Sequence, residues 1–165
     1  MPSSSIACLR TATSDKVINQ SEVEDAILGY ENLNETERTA IVKSRVGQSL
    51  FRENLLEKYN STCIITGVSV KRLLIASHIK PWAVSDNEER LSDENGLLLS
   101  PTYDKLFDYG LITFTNLGKI VVSSQFSVED RTKLHLSTDR EYELKMTSKM
   151  KEHLDYHRDI IFVRK

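Results

Sequence analysis

The spacing of the apolar residues changes at Tyr59, and this change constrains the fold more than any other feature of the sequence. Asn34 and Glu37 have the spacing of a helix-capping box. Apolar residues then recur every three to four positions, which predicts an amphipathic helix with a bend or break near Gly47. Beyond Tyr59 the apolar residues occur in short runs, at positions 63–65, 73–76 and 96–99. This pattern predicts one long helix followed by short strands.

Local signals place further elements in the second half of the chain. Ser100 followed by Pro101 predicts a helix start, and Gly110 closes that helix after about Tyr109. Asn116-Leu117-Gly118 between two apolar runs predicts a β-hairpin. The remaining predicted elements are a helix from Ser21 to about Gly29, the hairpin strands Leu111–Thr115 and Lys119–Ser123, a capped segment from Ser127, and a helix over Ser148–Arg158.

Composition and cysteine content favour a soluble, reduced protein. The apolar fraction of 39% is ordinary for a globular chain of 165 residues. No stretch approaches the length of a membrane span, and Met1–Thr13 lacks the pattern of a signal peptide. The two cysteines, Cys8 and Cys63, have no CxxC spacing, which argues against a disulfide and against a thiolate zinc site. We therefore expect a cytoplasmic protein with no membrane partner.

The charges are distributed unevenly, although the net charge is only −2. Seven basic and two acidic residues occur between Lys43 and Lys80, whereas Pro81–Asn95 contains five acids and one arginine. A basic segment beside an acidic loop suits a phosphate group that approaches a metal site. A mixed, solvated surface would produce the same pattern, and the charges alone do not separate the two interpretations.

Four polar residues mark the candidate site. His78 ends one apolar run, Asn95 precedes the next, and Asp104 and Asp108 are four residues apart on the predicted short helix. Residues with this helical spacing share a face, so the two carboxylates are expected to converge near His78. Asp104 near the helix start also suits the helix dipole, which would explain it without a site.

These residue types suit the hydrolysis of a phosphodiester. Histidine has the ordinary pKa that best allows a side chain to take a proton from water near neutral pH. Asp104 and Asp108 are hard oxygen ligands, which favour one Mg²⁺ or Mn²⁺ ion, with Ni²⁺ and Zn²⁺ left open. Asn95 would either bind the metal or hold the loop so that the His78 ring stays in place.

The segments around these residues resemble the HNH endonucleases. They read "LLIASHIKPWA" and "ENGLLLSPTYDKLFDYGLITF", and they are similar to the branch with (A/S)HIxPW and NGLxL…FDxG segments found in restriction-type and anti-phage nucleases. The resemblance extends to "GQSLFRENLLEKYNSTCIITG" and "LDYHRDIIF", and thus covers roughly Val46 to Phe162. It implies an α+β fold: a ββα-metal core with an added β-hairpin and flanking helices. Residues 46–165 would form the nuclease domain and residues 1–45 an N-terminal extension that dimerises, binds a regulator or does neither.

The resemblance also implies roles for individual residues. The family's general base falls on His78, its central asparagine on Asn95, and its two metal-binding helix positions on Asp104 and Asp108. The spacing from Asn95 to the two helix positions also matches that of colicin-type members. Two departures concern the metal: many members have histidine where this chain has Asp104, and an acid or histidine where it has Ser77.

Further residues are candidate contacts to DNA, each with a simpler explanation. Arg52 and Lys80 would bind phosphates or remain solvated surface charges. His157 and Arg158 would reach the substrate, while the spacing of His153 and His157 suggests either a metal pair or a helix surface. Trp82 would stack on a base or pack its loop onto the core.

The sequence therefore predicts a metal-dependent endonuclease that cuts DNA, with duplex DNA and a role in restriction or phage defence implied by the resemblance. Two cuts across a duplex need two sites or sequential action, so a homodimer is one hypothesis. Two rival functions are a non-catalytic nucleic-acid-binding module on a decayed HNH scaffold, which Ser77 supports, and a nuclease that acts on RNA.

Overall fold

The structure, a computed structural model, describes residues 34–164. The chain divides into two units between Val46 and Gly47, and each is described by itself. The predicted helix from Ser21 and the residue Cys8 lie outside the described residues. The role of residues 1–45 stays a prediction.

Helix α1 spans Glu35–Lys58. Its predicted capping box is confirmed: the Glu37 amide donates to Asn34 Oδ1 at 2.9 Å, and the Asn34 amide donates to the Glu37 carboxylate at 3.0 Å. The helix is continuous through Gly47, so the predicted break there is wrong. In the first unit the described residues are Asn34 and the helix as far as Val46.

The second unit, from Gly47, contains the core and the remaining elements. In chain order they are β1 (Ile75–His78), α2 (Asn87–Leu91), β2 (Gly96–Leu99), α3 (Pro101–Asp108), β3 (Ile112–Phe114), β4 (Ile120–Val122), α4 (Val128–Lys133), α5 (Ser148–Tyr156) and a π-helical turn (His157–Ile161). The predicted α+β fold, with a ββα core, an added hairpin and flanking helices, is confirmed.

Strands β1 and β2 form an antiparallel pair in which His78 lies opposite Gly96. Strand β2 is buried along its whole length, and Phe51 and Leu55 of α1 pack against its start. A Cβ atom on Gly96 would lie 2.6 Å from Phe51 Cζ and 2.6 Å from Leu55 Cδ1. The glycine therefore allows α1 to approach the end of the strand that carries the histidine.

The segment after β2 follows the local signals closely. Ser100 precedes the first residue of α3, and Pro101 occupies the first turn, where a missing amide proton costs nothing. Gly110 then adopts a φ of +64°, and its amide donates to the Phe107 carbonyl at 2.9 Å. Strands β3 and β4 form the predicted hairpin, and the isolated helix α4 is capped by the Ser127 side chain.

The segment between β1 and β2 is more ordered than a polar loop. It contains helix α2, whose N-terminus carries a complete capping box between Asp86 and Glu89. The interpretation of Pro81–Asn95 as an acidic loop is therefore wrong in part, because residues Asn87–Leu91 are helical. Cys63 is a free, buried thiol. None of the helices in residues 34–164 is both long and apolar enough to cross a membrane.

Candidate active site

A cleft of about 320 Å³ lies between β1, α3 and the C-terminal turn. All four residues of β1 line it, together with Asp104 and Asp108 from α3 and with His157 and Ile161 from the turn. The sequence-predicted histidine and the two acids are therefore brought to one cavity. Asn95 is close by but does not line it.

The hydrogen bonds of His78 define its tautomer. Nε2 lies 3.0 Å from the backbone oxygen of Arg90. Because a carbonyl oxygen can only accept, Nε2 carries the proton and Nδ1 keeps a free lone pair. Burial lowers the pKa of His78, and the hydrogen bond to Arg90 opposes part of that shift. The ring is therefore neutral near pH 7, which is the state a general base needs.

Two aromatic rings enclose the His78 imidazole. Phe51 stacks on one face with 3.8 Å between ring centroids and 14° between planes. Trp82 meets it edge-on at 5.6 Å. Arg90 in turn lies 5.2 Å from the Trp82 ring and donates from Nε to the Trp82 carbonyl at 3.0 Å. The imidazole is thus fixed by packing on its faces and by one hydrogen bond at its edge.

Asn95 is fully buried and holds the segment that supports His78. Its Oδ1 accepts from the Lys80 amide at 2.8 Å, and its Nδ2 donates to the carbonyls of Lys80 and Glu89, each at 3.1 Å, and to Ser85 Oγ at 3.2 Å. Glu89 precedes the residue whose carbonyl accepts from His78. This geometry favours the loop-holding role of the two roles that the sequence left open for Asn95.

Asp104 and Asp108 differ in their exposure. Asp104 is 5% exposed, whereas the Asp108 side chain is 43% exposed and lies 3.3 Å from Lys105 Nζ. Burial raises the pKa of Asp104, and the charge of Asp108 raises it further. The Ser77 hydroxyl lies beside Asp104 and opposes the shift, yet its buried Oγ makes no hydrogen bond of normal geometry with residues 34–164.

These oxygen atoms fit a hard divalent ion better than a structural zinc ion. Among residues 34–164, no three His, Cys, Asp or Glu side chains are grouped as metal ligands. A tetrahedral zinc site would need more nitrogen or sulfur ligands. Mg²⁺ is commonly bound by one or two carboxylates and completes its shell with water and phosphate. Asp104 and Asp108, with the unbonded Ser77 hydroxyl beside them, have that character.

The cations expected to contact phosphate are engaged within the protein. The Arg52 guanidinium donates to the carbonyls of Leu74 and Lys71, at 2.5 Å and 2.8 Å. Lys80 Nζ contacts both carboxylate oxygens of Glu89 at 2.7 Å and is 5.8 Å from the centre of the Tyr156 ring. In this arrangement both side chains stabilise the fold, and their phosphate contacts stay predictions.

His157 occupies an interior position. It is 1% exposed and stacks on Phe107 with 3.8 Å between centroids. Nε2 donates to the Phe107 carbonyl at 3.1 Å, so Nδ1 accepts from the Thr113 hydroxyl at 3.0 Å. Burial lowers the pKa of His157 to about 4. With both nitrogens bonded, neither a metal pair with His153 nor a direct DNA contact is formed, and the helix-surface interpretation is wrong because both histidines are buried.

Arg158 is also bonded internally. It donates to the Phe114 carbonyl at 2.6 Å, to Asn116 Oδ1 at 2.9 Å, and to Asp155. Its side chain is 20% exposed. These contacts tie Arg158 to the β3–β4 hairpin, and its predicted DNA contact stays a prediction.

Two parts of the site are not among the residues predicted from the sequence. Phe51 is one of the regularly spaced apolar residues of α1, and nothing in the local sequence shows that it stacks on His78. The helix α2 that supplies the Arg90 carbonyl did have a signal. Asp86 and Glu89 have capping-box spacing, as Asn34 and Glu37 do.

Antiparallel strands with a histidine at one end are followed by a helix with two acids, which is the ββα arrangement that the sequence resemblance implies. Residues 63–115 match the family model described as HNH endonuclease, and this match supports the HNH family for that segment of the chain. Members of this family are nucleases that act on nucleic acid and generally use a divalent metal. No curated protein sequence matches the chain. The narrower restriction-type and anti-phage branch stays a prediction.

Proposed function

We propose that the protein is a divalent-metal-dependent endonuclease that hydrolyses phosphodiester bonds in duplex DNA. The observation that carries the proposal is the state of His78. Its Nε2 donates a hydrogen bond to the Arg90 carbonyl, which leaves Nδ1 as the basic nitrogen. His78 lines the same cleft as Asp104 and Asp108. A base and two acidic ligands in one cavity are the groups that this hydrolysis requires.

The chain's own residues account for the proton transfer. His78 Nδ1 takes a proton from a water molecule, whose oxygen then attacks the phosphorus atom. The bond from phosphorus to the 3′-oxygen breaks, and that oxygen leaves with a proton from solvent. Asn95 fixes the α2 segment, so the Arg90 carbonyl keeps the His78 ring in one orientation.

Asp104 and Asp108 would hold the metal ion, which supplies positive charge opposite the transition state and the leaving oxygen. The oxygen donors favour Mg²⁺ or Mn²⁺. The buried Asp104 is held by the helix, and the more exposed Asp108 faces solvent, from which the metal and the substrate arrive.

The substrate and the biological role rest on the resemblance to restriction-type and anti-phage nucleases. Duplex DNA and a defence role are proposed on that ground, and a homodimer would supply two sites for two cuts. Ser77, in place of an acidic ligand, favours the rival reading of a non-catalytic binding module. The neutral tautomer of His78 and the paired acids favour the enzyme.

The experiment is cleavage of supercoiled plasmid by the purified full chain with Mg²⁺, Mn²⁺, Ni²⁺ or Zn²⁺, beside EDTA. The matched variants are His78→Asn and His135→Asn, because His135 is exposed and asparagine tolerates its φ of +50°. We expect metal-dependent nicking or linearisation that His78→Asn loses and His135→Asn keeps. Equal inactivity of all three proteins under every metal would favour the binding module. Preferential cutting of RNA in parallel reactions would identify RNA, and not duplex DNA, as the substrate.

A further inference from the structure

An exposed turn precedes the strand that lines the cleft. All five residues of this turn, Ser69–Leu73, are exposed, and the large apolar side chains of Val70 and Leu73 are 55% and 50% accessible. Between them lie Lys71 and Arg72, and neither forms an ion pair with any residue of the described part of the chain. The turn therefore presents two apolar side chains and two cations that have no ion-pair partner among residues 34–164.

Backbone hydrogen bonds and the Arg52 side chain hold the shape of this 69–73 turn. Residues 71–73 form one turn of 3-10 helix, and the Leu73 amide donates to the Val70 carbonyl at 2.9 Å. The Arg52 guanidinium donates to the carbonyl of Lys71, inside the turn, and to the carbonyl of Leu74, directly after it. Leu74 itself is 2% exposed in the core. The backbone that carries the two cations is thus held in one conformation, which lowers the entropy cost of binding a ligand there.

The turn is also continuous with the cleft. It leads into β1, whose residues all line the cavity and whose last residue is His78. At about 3.3 Å per residue, six residues separate Arg72 from His78 by at most roughly 20 Å. Base pairs of duplex DNA are spaced about 3.4 Å apart, so this reach corresponds to about six base pairs. At that distance the turn is within reach of backbone phosphates that flank a bond held in the cleft.

We propose that the 69–73 turn is a DNA-binding element, in which Lys71 and Arg72 contact backbone phosphates beside the cut and Val70 and Leu73 pack against the sugars. The proposal rests on the proposed function, since it assigns part of the same substrate to a new surface. Contacts of this kind fix the register of a duplex without reading its sequence. Arg52, through its hydrogen bonds to Lys71 and Leu74, acts as the positioning residue of the turn.

The test is binding of a fluorescent duplex by the full chain in EDTA at several salt concentrations. It compares wild type with the double variant Lys71→Gln/Arg72→Gln. The matched control is Lys149→Gln/Lys151→Gln, which removes the same charge from exposed positions on α5. Each phosphate contact contributes about 0.9 to the slope of log affinity against log salt, so the turn variant should lose about 1.8 from that slope. At about 150 mM salt its affinity should fall at least tenfold.

An unchanged slope in the turn variant, or an equal loss in the control, would overturn the proposal. So would a loss seen with duplex RNA and absent with DNA. Because binding is measured without metal, the outcome is independent of catalysis. If the wild-type protein cuts plasmid and the turn variant keeps the wild-type salt slope, the result contradicts the turn proposal alone. If the wild-type protein is inert and the turn variant loses binding, the result contradicts the nuclease proposal alone. Thermal unfolding of both variants confirms that the fold is intact.

Arg52→Lys tests the anchoring. Lysine keeps the charge but lacks the planar fork that donates to two carbonyls at once. We expect weaker DNA binding by about threefold, with the salt slope of wild type, because the phosphate contacts are misplaced and not removed. Affinity equal to that of wild type would contradict the positioning role of Arg52.

Discussion

The imidazole of His78 lies flat against the phenyl ring of Phe51, with 3.8 Å between the ring centroids and 14° between the ring planes. Phe51 is 2% exposed and comes from a helix that precedes His78 by more than twenty residues of chain. The contact shields one face of the ring from water. It therefore contributes both to the orientation of the proposed base and to the burial that lowers the pKa of His78.

Phe51→Leu should slow DNA cleavage roughly tenfold at saturating substrate, because leucine fills the space but does not fix the ring plane. The ring also becomes more hydrated, so the pKa of His78 rises and the protonated, inactive form persists to higher pH. The acid limb of the pH–rate profile should move to higher pH. A lower rate with an unmoved acid limb would show that Phe51 supports the fold alone.

Asp104→Asn and Asp108→Asn should each lower cleavage by at least about 100-fold, because a neutral amide is a weaker ligand for a divalent ion than a carboxylate. Calorimetric titration with Mn²⁺ should show the matching loss of binding. Asp139→Asn, at an exposed position, serves as the control and should behave as wild type. Normal Mn²⁺ binding by both site variants would place the metal elsewhere.

Asn95→Asp should destabilise the protein by about 2–4 kcal/mol, since it buries a charge and removes the amide donor to Lys80, Ser85 and Glu89. Urea unfolding measures this change. Binding of Mn²⁺ should persist while cleavage falls, because Asn95 supports the base and not the metal. Asn54→Asp, at an exposed position of α1, is the control. Loss of Mn²⁺ binding by the folded variant would identify Asn95 as a ligand.

The buried His157 should make the protein less stable in acid. Its pKa is lowered to about 4, while the unfolded chain has the ordinary value of about 6.5. Between these values the unfolded state binds more protons, so stability is present above pH 6.5 and is lost as the pH falls toward 4. The loss amounts to about 3 kcal/mol.

His157→Gln tests this prediction by urea unfolding at several values of pH. The variant should be less stable than wild type at pH 7, because it loses the stacking on Phe107, and its stability should fall less between pH 7 and pH 4. His135→Asn should keep the pH dependence of wild type. Parallel curves for wild type and His157→Gln would show that His157 does not cause the acid loss.

The sequence predicted what depends on neighbouring residues. The cap at Asn34, the helix start at Ser100-Pro101 and the β3–β4 hairpin follow from local hydrogen bonding and turn chemistry. The fold and the gathering of His78, Asp104 and Asp108 followed from the resemblance together with helical spacing. These features need no knowledge of distant packing.

The remaining contacts depend on side chains that meet across the fold. Arg52 reaches two carbonyls about twenty residues away, and His157 is enclosed by Phe107 and Thr113. A charged or titratable residue has the same appearance in a sequence whether it faces solvent or packs inside. For that reason the sequence left a substrate contact open for Arg52 and His157, whereas in the structure their hydrogen bonds are made to the protein itself.

Cleavage of supercoiled plasmid in Mn²⁺ by His78→Ala, with and without added imidazole, tests the central claim most directly. The alanine leaves a space between Phe51 and Trp82 that a free imidazole can enter. The account predicts that the variant loses at least about 100-fold in rate, as expected for loss of a general base, and that imidazole restores part of the activity. Cleavage by His78→Ala at the rate of the wild-type protein would contradict the assignment of His78 as the base.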